Sequence, residues 1–347
     1  MSGKPTIKAV AAHAGVSICT VSRILAGGTR RAQYSSQTRA LVEQSAATLS
    51  YRPNSSARAL QAGVSSAIGI LYPDAKGLFG SSLLSAIQLA VQGRDRHTLL
   101  LSRGPQGAVS RALEALEEGR IDGLLVLAFD LGEDDLRRLE DANRPVVLLC
   151  PRTPSSLPSV VLDPVPGITV ATRWLAELGH RRVAWLGPDA PEVSDSLQRT
   201  ACSAQAAQEL GLRWSSWAMG SELRSEDQWI RCAREVVVAA LAALPPGEAA
   251  PAILCHNDLT ALGVYAAAQD LGLRIGRDLS VIGFDDLYGL IAYPTMTSVS
   301  HMFTNVSDQA TGLLLKRQSG RSQGNAITLS IPSCLMKRMS AGPPAGR

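Results

Sequence analysis

The sequence predicts an N-terminal all-α head containing a helix-turn-helix, followed by a C-terminal α/β body of two lobes with parallel sheets. In the head, apolar residues recur at helical spacing, whereas from residue 65 onward short apolar runs alternate with helical stretches. At 347 residues, the chain is also too long for one typical hydrophobic core. These observations together predict two or three separately packed units.

The first two predicted helices fit a helix-turn-helix. Thr6 can cap a helix over residues 7–14 that ends at Gly15, and Ser17 can cap the next helix. One face of this second helix is apolar and carries Val21, Ile24 and Leu25. The other positions carry Ile18, Cys19, Ser22 and Arg23. A third helix over residues 37–49 is expected to close the core with Leu41, Val42, Ala46 and Leu49.

Helical spacing alone leaves two interpretations open, a solvated helical bundle and a DNA-binding head. Charge decides between them. Residues 1–63 contain eight Lys or Arg and a single acid, Glu43, so they carry +7, and because the whole chain carries +4 the remainder carries −3. A basic helix-turn-helix is the electrostatic footprint of a phosphate-binding surface, which favours DNA binding.

Four segments of the head resemble the N-terminal signature of the LacI (lactose repressor) family of bacterial transcription regulators: residues 6–11 (Thr-Ile-Lys-Ala-Val-Ala), 14–17, 20–25 and 51–60. Three body segments, 177–184, 256–263 and 279–286, resemble the periplasmic-binding-protein fold of the same family. The resemblance implies a transcriptional regulator, most often a repressor, that binds a double-stranded operator with an inverted repeat as a homodimer. It also implies an effector between the lobes, a sugar or sugar derivative, that controls operator affinity.

The resemblance implies four segments: a head over 1–53, a hinge helix or linker over 54–64, a dimerising body over 65–340 and a disordered tail over 341–347. The DNA-binding residues expected in the first two segments are Thr6, Ser17, Ile18, Cys19, Thr20, Ser22, Arg23, Tyr51, Asn54, Ala57, Arg58 and Leu60. Leu60 holds the position of a leucine that wedges between base pairs in the minor groove. Ile18 and Cys19 replace residues that are more polar in the family, which should alter base preference.

Effector contacts are expected where polar side chains follow the strands of the body, because open α/β sheets bind ligands at the carboxyl ends of their strands. The polar side chains expected in such positions are Asp74, Asn257 and Asp285. The family resemblance adds Phe79, near the first strand, and Arg199, which aligns with an arginine that often reaches the effector in the family. Helix capping is the alternative for each Asp or Asn, and we favour it for Asp258 but favour ligand contact for Asp285. The pocket departs from the family pattern around Gly80, Pro164 and Cys202.

A dimer contact is expected on the body, and one candidate is the apolar face of the helix at residues 82–92. That face carries Leu83, Leu84, Ile87 and Val91. Packing of the same face in the core is the alternative. The tail from residue 340 lacks the apolar heptads of a coiled coil, so no larger assembly is expected through it.

Two other functional classes fit the sequence less well. A solute-binding protein for transport would need an export signal and has no use for a +7 head. A sugar-converting enzyme would need a convergent acid/base or nucleophile constellation, and the sequence indicates none. The six cysteines and five histidines show no zinc spacing, so neither metal nor cofactor is expected. No long apolar run or secretory signal is seen, and we expect a cytoplasmic protein.

Overall fold

The computed structural model describes residues 5–26, 33–51, 65–73, 77–103, 107–129, 131–189, 194–220, 223, 225–245, 251–319 and 327–344. The chain forms two compact units, Met1–Ser66 and Ala67–Arg347. Several predicted features lie outside the described residues: the hinge helix with Asn54, Ala57, Arg58 and Leu60, the effector residue Asp74 and the last three residues of the tail.

The head contains three described helices, α1 (Ile7–Ala14), α2 (Ile18–Ala26) and α3 (Ser36–Thr48). Thr6 Oγ1 accepts a hydrogen bond from the Ala9 N–H at 3.3 Å, and Ser17 Oγ accepts one from the Thr20 N–H at 3.1 Å. Gly15 ends α1 with φ +62°, a conformation that favours glycine. The two caps and the turn therefore form as predicted.

The core of the head is built from small and branched residues of all three helices: Val10, Ala11, Ala14, Val21, Ile24, Val42 and Ala46. Leu25 and Leu49 pack against this core while partly exposed. The prediction for Leu41 is wrong, because Leu41 is 45% exposed. It directly precedes the fully buried Val42 on α3, and because neighbouring helical positions point about 100° apart, Leu41 lies at the side of the helix rather than toward the core.

The body alternates strands and helices along the chain. Its strands are β1 (Ala67–Pro73), β2 (His97–Arg103), β3 (Gly123–Leu127), β4 (Val146–Leu149), β5 (Ser159–Asp163), β6 (Arg182–Pro188), β7 (Arg213–Met219), β8 (Ala252–Cys255), β9 (Val281–Asp285), β10 (Thr297–Ser300), β11 (Thr328–Pro332) and β12 (Cys334–Met336). Its described helices are α4 (Leu78–Gln92), α5 (Ala108–Glu117), α6 (Glu133–Asp141), α7 (Val165–Glu177), α8 (Ser194–Glu209), α9 (Glu226–Ala242), α10 (Asp258–Asp270) and α11 (Phe303–Gln318).

These strands form two six-stranded sheets, one in each lobe. The first lobe has the order β11-β5-β4-β3-β1-β2, and the second has β12-β10-β9-β8-β6-β7. The described pairings are parallel except that between β10 and β12. Helices α5 and α6 cover one face of the first sheet, and α4 and α11 cover the other. In the second lobe α7 and α8 oppose α9 and α10.

The expected two-lobed fold is confirmed, one open alternative is settled and one prediction is wrong. For the candidate dimer face, the alternative of core packing holds: Leu83, Ile87 and Val91 have no exposed surface and pack in the core of the first lobe, and Leu84 packs against the same core while partly exposed. The tail is ordered beyond residue 340: Ala341 packs in the second lobe, and the Gly342 N–H donates to Ser280 Oγ at 3.1 Å. These contacts satisfy backbone groups that a disordered tail would leave to water.

Three described segments connect the lobes: the links from β5 to α7, from β10 to α11 and from β11 to β12. Two of them are bonded together, since the Ser333 N–H donates to the Asp163 carbonyl at 2.9 Å and the Gly167 N–H donates to Ser333 Oγ at 3.1 Å. A Cβ at Gly167 would overlap both Val299 and Ser333. The lobes are therefore joined by closely packed connections.

Among the described residues, no helix is both long enough and apolar enough to cross a bilayer.

Candidate functional site

A cavity of about 790 Å³ lies between the two lobes of the body. The predicted residues Phe79, Arg199, Asn257 and Asp285 all line it. A second hollow of about 590 Å³ lies between α4 and α11, but its one charged residue, Asp308, already pairs with Arg94 at 2.9 Å. The interlobe cavity combines apolar walls with converging polar groups, which makes it the better ligand-site candidate.

The polar wall of the cavity is organised around Arg199 and Asp285. Arg199 Nη1 donates to the His256 carbonyl at 2.7 Å and lies 3.8 Å from Asp285 Oδ1. The Arg199 guanidinium also stacks over the Phe284 ring, with its carbon 3.9 Å from the ring centroid. Arg199 is thus held from several sides, since its Nη2 also lies 3.4 Å from His301 Nε2.

His301 completes this cluster from the connection between β10 and α11. Its Nε2 lies 3.1 Å from Asp285 Oδ1, and because a carboxylate only accepts, Nε2 is the donor. Burial alone would raise the pKa of Asp285, but the hydrogen bond from His301 and the charge of Arg199 outweigh burial and lower that pKa. Asp285 is therefore an anionic acceptor in a largely dry site.

Aromatic side chains form the opposite wall. The Phe79 ring contacts the Phe129, His301 and Phe303 rings edge-on, with centroid distances of 6.3, 5.7 and 5.1 Å. Since Phe79 and Phe303 pack in the first lobe and Asp285 lies in the second, His301 touches groups of both lobes. The cavity therefore pairs an apolar face with a hydrogen-bonding face.

The assignment of the helix cap at residues 257–258 needs correction. Asn257, not Asp258, caps α10: its Oδ1 accepts from the Thr260 N–H at 2.9 Å and from the Thr260 hydroxyl at 2.8 Å. The Asn257 amide N–H groups stay available beside the cavity. Asp258 is 1% exposed and points into the second lobe instead.

Asp258 holds the turn that carries Asp285. One carboxylate oxygen accepts from the Leu287 and Tyr288 N–H groups at 2.7 and 2.9 Å, and the other accepts from Ser298 Oγ at 2.6 Å. The turn needs such support because Asp285 has φ +93°, which costs a non-glycine residue on the order of 1–3 kcal/mol. Backbone strain concentrated at a cavity-lining residue supports a functional role there.

The head presents a separate candidate surface on α2. Ser17, Ile18, Cys19 and Arg23 are exposed, whereas Thr20, Ser22 and Tyr51 are half-buried. A hydrogen bond to Tyr34 raises the pKa of Arg23 above its ordinary value, so Tyr34 helps to orient this guanidinium. The exposed face is the one opposite Val21 and Ile24, as the amphipathic pattern predicted.

Five polar residues that line the cavity were missed at the sequence level: Arg152, Gln198, His256, His301 and Ser330. His256 directly precedes the predicted Asn257, so its position after a strand was an available signal. His301 follows β10, a short strand that the sequence pattern did not reveal. The five histidines are scattered in sequence, and only folding brings two of them to one cavity.

The profile described as "Bacterial regulatory proteins, lacI family" matches residues 6–54, and that described as "Periplasmic binding protein-like domain" matches residues 172–341. The chain is 31% identical over 338 residues to the HTH-type transcriptional regulator GalS of Salmonella typhimurium, and the match covers 96% of each chain.

Two solved structures are similar over the same length. A complex of the transcriptional regulator CelR with cellobiose has 25% identity and a TM-score of 0.62, covering 97% of this chain and 99% of that one. The lac repressor dimer bound to operator and the anti-inducer ONPF has 24% identity and a TM-score of 0.73, with the same coverage. The second likeness shows the fold alone.

The buried Asp258 predicts a pH dependence of stability. Burial, the largest effect, raises its pKa to about 7 although three hydrogen bonds oppose it. The folded protein then binds one more proton than the unfolded chain between about pH 4 and pH 7, so this group's contribution to stability falls as pH rises through that window. Asp258→Asn should remove the loss, because the uncharged amide oxygen can still accept from the Leu287 and Tyr288 N–H groups while the amide NH2 group donates to the Ser298 hydroxyl.

Urea denaturation of the parent and Asp258→Asn proteins at pH 4.5 and 7.5 checks this expectation. The free energy of unfolding of Asp258→Asn, relative to that of the parent at the same pH, should increase from pH 4.5 to pH 7.5. The increase should be at most about 1.4 kcal/mol per pH unit. Asp270→Asn, at a surface ion pair with Arg234, is the control and should show no such trend. A pH-independent difference for Asp258→Asn would contradict the assigned role of burial.

Proposed function

Because this chain belongs to the lacI family of bacterial regulatory proteins and is a DNA-binding transcriptional regulator, we propose that a small hydroxyl-rich effector in the interlobe cavity controls its operator affinity. The observation that supports this proposal most strongly is that the Arg199–Asp285–His301 cluster faces an aromatic wall across that cavity. Such a cluster can replace the water hydrogen bonds that a polyhydroxylated ligand loses on entry.

A carbohydrate is the proposed effector class. CelR is a relative in complex with cellobiose, and its fold matches nearly the whole chain. In the cavity of this protein, Asp285 supplies a charged acceptor, Arg199 and Asn257 supply donors, and Phe79 supplies an apolar surface. The placement of these groups supports a ligand with several hydroxyls rather than a purely apolar one.

Effector control requires that the ligand bind one arrangement of the lobes better than another. Both lobes contribute residues to the cavity. His301 contacts the Phe79 ring of the first lobe, and it also forms a hydrogen bond with Asp285 of the second lobe. A ligand between them therefore changes the free energy of closing the cleft. We propose that this change is transmitted to DNA binding, with repression as the activity of the operator-bound form.

DNA recognition is assigned to α2 of the head. Arg23 is proposed to contact a guanine edge, and Ile18 and Cys19 are proposed to contact thymine methyls, since neither side chain offers a strong hydrogen bond. Thr6, Ser17, Thr20, Ser22 and Tyr51 are proposed to contact or position the DNA backbone. The net charge of +7 carried by residues 1–63 supports this assignment.

The protein is proposed to act as a homodimer on an operator with an inverted repeat. The second lobe exposes Leu290 and Ile291 by 75% and Tyr293 by 94%. In a twofold dimer, each interface patch packs against the same patch of the partner subunit. An apolar patch can do so without bringing like charges together. We therefore place a second copy of this chain on the patch of Leu290, Ile291 and Tyr293.

The two other classes receive less support. The relatives reported above are transcriptional regulators, which weighs against a metabolic enzyme. A transport role leaves the basic head without a purpose. We propose that the protein acts in the bacterial cytoplasm, where its operator DNA is, without catalytic residues or a metal.

Replacing Arg23 with Ala should weaken operator binding by about 1–3 kcal/mol and relax specificity at one position in each half-site. Tyr34→Phe should have a smaller effect at the same position, because it removes only the group that orients Arg23. Lys8→Ala is the control and should weaken all sequences alike. Selection of binding sites from random DNA measures all three. Equal weakening of every sequence by Arg23→Ala would make Arg23 a phosphate contact.

Ile291→Asp should shift the protein from dimer toward monomer, since it places two like charges against each other across the twofold axis. Light scattering over a concentration series measures the shift, and operator binding should weaken in parallel. The control is Val170→Asp, a change on α7 at a residue of 43% exposure. If Ile291→Asp stays as dimeric as the control, the interface lies elsewhere.

Asp285→Asn should keep operator binding but lose its response to effector. The amide tolerates the positive φ better than Ala would, but it lacks the charge that Arg199 and His301 hold. A thermal-shift panel of sugars first finds the ligand, which should stabilise by about 2.7 kcal/mol at 100 times its dissociation constant. Operator anisotropy with and without that ligand then tests both functions, with Asp270→Asn as control. An unchanged response in Asp285→Asn would refute the site.

A further inference from the structure

The charges lining the interlobe cavity are unevenly compensated. Among the lining residues that the structure describes, the ionisable ones other than histidine and cysteine are Arg152, Asp163, Arg199 and Asp285. The last two form one neutral unit, since they lie 3.8 Å apart and Asp285 also accepts from His301. A ligand at this unit therefore meets polar groups whose charges already cancel.

The Asp163 carboxylate is also satisfied by the protein. Its Oδ1 accepts from the Val165 N–H at 3.0 Å, at the start of α7. A negative charge at a helix N-terminus is stabilised by the unpaired N–H groups and the dipole of the helix. Asp163 therefore stabilises the start of α7 in the connection between the lobes, and its negative charge needs no cationic group of a ligand.

Arg152 is the remaining charge. In the part of the chain that the structure describes, no carboxylate lies within 4 Å of its guanidinium, and the side chain is exposed on the first-lobe side of the cavity. The backbone leading to it is unusual, because Cys150 at the end of β4 has φ +54°. Non-glycine residues in this region are strained, and such strain is often found at ligand sites.

We propose that the effector is anionic: a hydroxyl-rich molecule whose phosphate or carboxylate group binds Arg152 while its hydroxyls meet Asp285, Arg199 and Asn257. This inference rests on the effector site proposed above and adds the charge of the ligand. A guanidinium binds either anion through two parallel hydrogen bonds, and such charge-assisted bonds are about twice as strong as neutral ones. Ser330, on the neighbouring part of the same wall, adds a hydroxyl donor.

The test compares matched neutral and anionic sugars on the full-length protein. Glucose is paired with glucose 6-phosphate and glucuronate, galactose with galactose 6-phosphate and galacturonate, and ribose with ribose 5-phosphate, and inorganic phosphate is measured alone. Thermal shift identifies binders and calorimetry measures their affinities. At least one anionic member should bind tenfold or more tightly than its neutral partner. The phosphate and carboxylate arms identify which anion the site takes.

Arg152→Gln should weaken binding of the anionic member at least tenfold and remove its advantage over the neutral sugar. The control is Arg173→Gln, an exposed arginine on α7 outside the cavity, which should bind as the parent does. The proposal is overturned if no anionic member binds, if the neutral partner binds within twofold, if Arg152→Gln binds within twofold of the parent, or if inorganic phosphate alone binds as tightly as the sugar phosphate.

The Asp285→Asn variant distinguishes failure of the anionic-effector proposal from failure of the proposed effector site. A neutral sugar whose binding depends on Asp285 but not on Arg152 would overturn the anionic effector and leave the proposed function standing. Binding unaffected by either substitution would overturn both.

Discussion

The buried carboxylate of Asp258 is the interaction on which the rest of the cavity depends. It accepts hydrogen bonds from two backbone N–H groups of the turn after β9 and from the Ser298 hydroxyl of β10. Because Asp258 is the first residue of α10, these bonds connect two neighbouring strands to the start of that helix. This support keeps Asp285 at a positive φ, and Asp285 in turn orders Arg199 and His301. The polar groups that it holds in place offset only part of the cost of burying this charge, since burial still raises the pKa of Asp258 to about 7.

The same arrangement makes the cavity responsive to the relative position of the lobes. Arg199 and Asp285 belong to the second lobe, Phe79 and Arg152 belong to the first, and His301 lies on a connection between them. Each lobe has helices on both faces of its sheet and its own apolar clusters, so either lobe can keep its internal packing while the cleft between them changes. Ligand binding can therefore act on the cleft without disturbing the cores.

The head follows a different physical principle. Its small core uses one face of each helix and leaves the exposed positions of α2 free for recognition. Ile18 is 44% exposed, which a solvated bundle would not require but a base-reading surface can use. The basic charge of the first 63 residues then supplies general attraction to DNA, and α2 supplies the base contacts proposed here.

The sequence by itself determined the head, its caps at Thr6 and Ser17, the two-lobed body and the residues Phe79, Arg199, Asn257 and Asp285 at its cavity. Local signals suffice for the head, its caps and the residues that follow strands, because capping and amphipathic spacing act within a few residues. Phe79 and Arg199 were expected from the family resemblance instead. Only the tertiary structure decided the roles of Asp258, Arg152 and His301. Asp258 and Asn257 are adjacent acceptors that both suit a helix start, and the choice between cap and core brace depends on a turn thirty residues away. The late strand β11 joins the first lobe through long-range pairing with β5, which no local pattern encodes.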